Sequence, residues 1–201
     1  MALTKPSDIA IHEAGHVLIS YLMSNLVKIH SVTIDTEYSK AIDEYSDGGL
    51  VFKYLKSPKI LNYLDLDQFC LLNLAGLAAD LINEHNGKVA NDYFFTEKFP
   101  EKIQHFNYQG DMIAFNNHFH KLRGKLRLSP SHYNYLSIKL LIELFSDTNI
   151  LRILIEVRDL VERYKTIDGR TLISYLDFSY LGNWKMSNWQ KIKDDRKGLF
   201  F

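Results

Sequence analysis

The chain has 201 residues, 46% of them apolar and 24% charged, which is the composition of a globular domain with a core of its own. Lysine plus arginine equals aspartate plus glutamate at 24 each, so the net charge is zero. That argues against nucleic acid as a main partner, because phosphate binding needs a basic surplus. In chain order, the opening "MALTKPSD" lacks the apolar core of a signal peptide. Ser7 or Asp8, with Pro6 just ahead, can cap a helix. In it Ile11, Ala14, Val17, Leu18, Tyr21 and Leu22 repeat at helical spacing. Residues 28–36 are β-branched and alternating, a strand. The polar residues 37–49 read as a loop, and 49–55 as a second strand paired with the first. Residues 64–85 form a long apolar-rich helix carrying Cys70, the single cysteine. One cysteine excludes an internal disulfide and a cysteine-based zinc knuckle, and its apolar setting predicts an inert thiol. Residues 86–108 pattern weakly, as a loop with one helical turn. Further helices are predicted from near Asp111, over 130–146, 149–165 and 169–176. The basic run 121–127 reads as a solvated helix end. The last stretch, with Trp184, Trp189, Phe200 and Phe201, has no clear period. It is expected to pack back on the domain, with docking on a partner as the alternative. No apolar run approaches the ~18 residues of a membrane span. A reduced, cytoplasmic setting is expected.

The chemistry concentrates in "IHEAGHVLIS". On a helix, residues i and i+4 share a face, so His12 and His16 can aim their imidazoles at one metal ion. Glu13 follows the first histidine and can act on a metal-bound water as general base. This is the physical content of the H-E-x-x-H pattern. Gly15 inside a helix costs ~1 kcal/mol against alanine, so close approach of another element is expected there. Zinc needs a third protein ligand. The metzincin extension would place Gly at position 19 and His at 22, where the chain has Ile19 and Leu22. The remaining candidates are Asp80, Glu84, Asp111, His118 and His120.

Five pieces stand in one order: "AIHEAGHVLISYL", "SVTID", "GGLVF", "NLAGLAADLI" and "YQGDMIAF", followed by the closing "LVERYKTIDGRTLISYL". This order resembles the peptidase domain of FtsH-type proteases. The resemblance covers residues 8–176. It implies a mainly α, zincin-like peptidase domain over 1–177, with a small two-stranded β element near the active site. Residues 178–201 are then an aromatic C-terminal extension. The resemblance implies Zn2+ held by His12, His16 and Asp111, with Glu13 as general base and Asp80 as a carboxylate that orients a ligand histidine. Gly110 replaces the family's asparagine before the ligand aspartate. Asp80 and Asp111 are 31 residues apart (111 − 80), longer than the family's link, so 86–108 reads as an insertion, a candidate lid. Residues 35–47 replace the family's proline- and arginine-containing turn.

No P-loop pattern occurs in the chain. The expectation is a zinc metalloendopeptidase acting on unfolded or flexible polypeptides without its own ATPase. A separate ATPase partner or a homo-oligomer is compatible with it. The alternative is a catalytically idle, metal-binding interaction or regulatory module. His30 or a tyrosine is the candidate oxyanion helper.

Overall fold

The structure, a computed structural model, describes residues 5–35, 37, 48–87 and 109–201. Most of the polar loop after the first strand lies outside these residues, as does the insertion at 86–108 except its first two residues.

Helix α1 runs Pro6–Leu22. Proline suits the first helical position, because its missing N–H would have had no partner there. Asp8 Oδ2 accepts a hydrogen bond from the Lys5 N–H at 3.3 Å. The cap therefore lies at Lys5, and Ser7 and Asp8 stand inside the first turn rather than before it. Every residue from Ala10 to Leu22 is buried. A helix buried all round must be enclosed by other elements, and α1 packs against α2, α5 and the sheet.

Helix α2 (Tyr63–Glu84) starts from a reciprocal cap. Asn62 Oδ1 accepts from the Leu64 and Asp65 N–H groups, and Asp65 accepts from the Asn62 N–H. Four helices follow: α3 (Gln109–Leu122), α4 (Pro130–Ser146), α5 (Thr148–Tyr164) and α6 (Gly169–Asp177). On α5, Ile150, Ile153, Leu154, Val157 and Val161 make one buried face, laid on α1.

Among the described residues the sheet has three strands, not the two expected. Its order is β2–β1–β3, all antiparallel, with β1 Val27–Thr33, β2 Gly49–Tyr54 and β3 Thr166–Asp168. The first pairing runs from Val27 opposite Tyr54 to Thr33 opposite Gly49, with a bulge at His30. Strand β3 is three residues between two helices, too short to show any alternation. Lys165, at φ 61°, turns the chain out of α5, and its carbonyl accepts from the Ile34 N–H at 2.8 Å. A Cβ on Gly169 would lie 2.2 Å from the Ile29 carbonyl oxygen, so only glycine lets α6 begin against β1. Strand β1 also ends at Thr33, earlier than the expected 36.

The aromatic extension folds back on the domain. It forms α7 (Tyr180–Trp184), a π-turn at Lys185–Trp189 and α8 (Gln190–Arg196). Leu181, Trp189 and Phe200 are buried and Trp184 packs on the core, while Phe201 stays exposed. Arg196 reaches inward to Asp67 on α2, with Nε to Oδ2 and Nη2 to Oδ1 both 2.6 Å. Among the described residues, no helix is long and apolar enough to cross a membrane.

Candidate metal centre

The contact between α1 and α2 is built from small residues. A Cβ on Gly15 would lie 2.5 Å from the Ala75 carbonyl oxygen and 2.8 Å from the Ala79 Cβ. The glycine predicted to admit a neighbouring element admits α2. Two adjacent stripes of α2 face α1. Ala75 and Ala79 meet Gly15. Leu72, Gly76 and Asp80, each one turn apart, meet the two histidines.

Each histidine is oriented through Nδ1. Asp80 Oδ2 accepts from His12 Nδ1 at 2.8 Å, and the Leu72 carbonyl accepts from His16 Nδ1 at 2.8 Å. A carbonyl can only accept, so His16 carries its Nδ1 proton, and the Asp80 carboxylate selects the same tautomer for His12. The lone pair of each neutral ring is then on Nε2. Both Nε2 atoms converge on Asp111 Oδ2, at 2.8 Å from His12 and 3.1 Å from His16, and lie 3.1 Å from each other. Asp111 stands in the first turn of α3 with its Oδ2 turned to the histidines.

Three acceptor atoms thus face one another, drawn from positions 12, 16 and 111. Lone pairs at such distances repel unless a proton or a cation lies between them. With protons alone available, the imidazoles take that part. Burial pulls His12 down, but hydrogen bonds and charge from Asp111 and Asp80 outweigh it and hold its pKa well above the ordinary histidine value. Burial likewise opposes, and Asp111 likewise prevails, at His16. Burial would raise Asp111, yet His16 and His12 hold it below the usual carboxylate range.

The three atoms stand close enough together for one metal ion to reach them all. A triangle with sides of 2.8, 3.1 and 3.1 Å has a circumradius of about 1.7 Å. That is less than the ~2.0–2.1 Å of a zinc–nitrogen bond, so a point just off its plane lies at bonding distance from all three atoms. His12, His16 and Asp111 are the group among the described residues able to hold a metal ion in this way. The histidines are nearly enclosed, and Asp111 is 27% exposed.

Glu13 is buried beside this group. Burial raises its pKa, and His16 and His12 only partly offset that. Its Oε2 has no hydrogen-bond partner among the described residues. A Cβ on Gly48, just ahead of β2, would lie 3.3 Å from Glu13 Oε1, so the sheet edge passes close to this carboxylate.

Of the other ligand candidates, Asp80 takes the orienting position. His118 turns away to Asn73, whose Nδ2 donates to its Nδ1 at 3.1 Å, and stacks on Phe69. Glu84 and His120 are outside the group. His30 is exposed at the strand bulge. Cys70 is buried and its thiol is pushed up by burial, as expected of an inert residue. Two participants escaped the sequence. The Leu72 carbonyl is a backbone atom and leaves no side-chain signal. Gly76 was visible only as the lone glycine of a long helix. Protein-family models give no match to the chain, and curated proteins give no significant match either.

Proposed function

We propose that the chain is a zinc-dependent endopeptidase of the H-E-x-x-H kind, with the FtsH-like, zincin-type organisation its motif order resembles. The observation that supports it most is the convergence of three lone-pair donors on one point, beside a buried carboxylate with one oxygen unpartnered among the described residues. Two imidazoles and one carboxylate make a zinc donor set that leaves a coordination position for water. Zinc bound there supplies a Lewis acid, which lowers the pKa of water towards ~7 and polarises a carbonyl.

The chain's residues do the rest. His12, His16 and Asp111 hold the ion. Asp80 and the Leu72 carbonyl fix both imidazoles in the Nδ1–H form. Glu13 takes a proton from the attacking water and delivers it to the leaving amine. Strand β2 is an edge of the described sheet and starts beside Glu13. An extended polypeptide paired with that edge would carry its backbone past the carboxylate. Only an unfolded or flexible segment can pair in this way.

The test is metal content together with cleavage of an unfolded polypeptide. Wild type should carry one zinc per chain, lost in His16→Ala and Asp111→Ala. Glu13→Gln should keep its zinc and lose about 10²–10⁴-fold in cleavage rate. A zinc-loaded wild type without cleavage would leave a metal-binding module. A wild type that takes up no zinc would sink the reading.

A further inference from the structure

We infer that Gly76 is a positioning residue for the metal group, holding open the space in which the His12 imidazole lies. A Cβ built on Gly76 would sit 2.2 Å from His12 Cε1, 2.3 Å from Nε2 and 2.6 Å from Nδ1. All three distances are below any real Cβ contact, and the atoms belong to a ring locked at both ends. Nδ1 is held by Asp80 one turn further along the same helix, and Nε2 faces Asp111. His12 is 8% exposed, Gly76 lies between buried Ala75 and Leu77, and Ala75 already abuts Gly15. The ring has no free side to move to, and the helices cannot separate without opening the Gly15 contact. Glycine at 76 and aspartate at 80 therefore act as a pair. One leaves room for the imidazole, and the other selects its tautomer and rotation.

Helix propensity makes the opposite forecast. Alanine is the better residue in a helix interior, so on propensity alone Gly76→Ala raises stability. The steric role makes it fall, and only while His12 is present. The structural half of the inference stands on the packing alone, whereas its consequence for metal binding rests on the function proposed above.

The experiment compares wild type, Gly76→Ala, His12→Ala, the double variant His12→Ala/Gly76→Ala, and Gly124→Ala. At Gly124 an added Cβ meets nothing within 4 Å. Melting temperatures are read in chelator. Gly76→Ala should melt roughly 5 °C or more below wild type, from overpacking. In the His12→Ala background the same change should cost less than about 2 °C, because the methyl enters the space the ring has left. Titration with Zn2+ and with Co2+ gives the second readout. Gly76→Ala should bind at least ~100-fold more weakly and lose the strong visible absorption of four-coordinate cobalt. Gly124→Ala should match wild type in both readouts. If Gly76→Ala does not fold, a folded double variant supports the inference and an unfolded one overturns it. Equal cost of Gly76→Ala in both backgrounds, or wild-type metal affinity in Gly76→Ala, also overturns it. A wild type that binds neither ion would end the metal reading while leaving the melting comparison intact.

Discussion

Helix α2 carries two buried polar clusters, centred on Asp67 and Asp80, 13 residues (80 − 67) or about 20 Å apart along the helix. At Asp67 donors meet acceptors. Arg196 places two N–H groups on the carboxylate, Tyr133 donates its hydroxyl to Oδ1 at 2.7 Å, and Arg196 Nη2 donates to Ser137 Oγ at 2.9 Å. One negative group faces one positive group. At Asp80 the balance differs. Three carboxylates (Glu13, Asp80 and Asp111) surround two imidazoles whose Nδ1 protons are already engaged. Acceptors face acceptors, and a Glu13 oxygen has no partner among the described residues. Both clusters carry the desolvation cost of buried charge. Among the described residues, the first sets one carboxylate against one guanidinium, and the second sets three carboxylates against two imidazoles. A complete network fastens the fold, and the other cluster leaves three groups close enough to hold a metal ion.

Removing one member of the complete cluster should give the largest loss of stability. Arg196→Met strips the charge partner from an Asp67 that is 2% exposed, and should cost about 3–5 kcal/mol. For a chain of this size that is roughly 6–20 °C in melting temperature, with one zinc still bound. Adding Asp67→Leu should recover much of the loss, since an apolar pair leaves no buried charge unpaired. Zinc lost from Arg196→Met would mean that the two clusters are coupled through α2 and do not act separately. The converse is a smaller effect at the other cluster. Asp80→Asn keeps the shape and removes the charge that orients His12. Zinc affinity should fall ~10–100-fold with little change in melting temperature in chelator. A large drop in chelator with unchanged zinc affinity would make Asp80 a structural residue like Asp67.

The difference between the clusters also marks what the sequence could convey. His12, Glu13 and His16 lie within one helical turn, so periodicity alone puts them on neighbouring faces. Asp111 is brought to them over 95 positions by the packing of α3 on α2, and no local pattern in the chain distinguishes it from Glu84 or His118. Only the motif order selected it. The helical character of the chain was legible because the apolar faces of α1, α2, α4 and α5 repeat over several turns. Strand β3 was not, because three residues carry no period and its pairing with β1 is a tertiary event. Arg196 sits in a stretch read as aromatic and charged without pattern. Its partner is 129 residues away, and only the folded chain shows that the extension is tied to the core through it.

His118 offers the smallest test and the sharpest contrast with His12. Both are partly or wholly buried histidines at the α2 seam, yet their pKa values move in opposite directions. Carboxylates raise His12 against its burial. His118 has an amide partner and an aromatic face instead, so burial, helped by Lys121, lowers it. A base whose folded pKa lies below its unfolded value binds fewer protons in the folded state. Stability then rises with pH, and it is lost as pH falls below the unfolded value of about 6.5, levelling off once the folded pKa is passed. His118→Phe keeps the stack on Phe69 and removes the titration. Subtracting its melting curve from that of wild type cancels the other groups, so the variant should gain on wild type as pH falls from about 7.5 to 5. A difference independent of pH would mean that His118 is solvated in both states. The partner of a histidine, rather than its burial, would then be the sole cause of the contrast with His12.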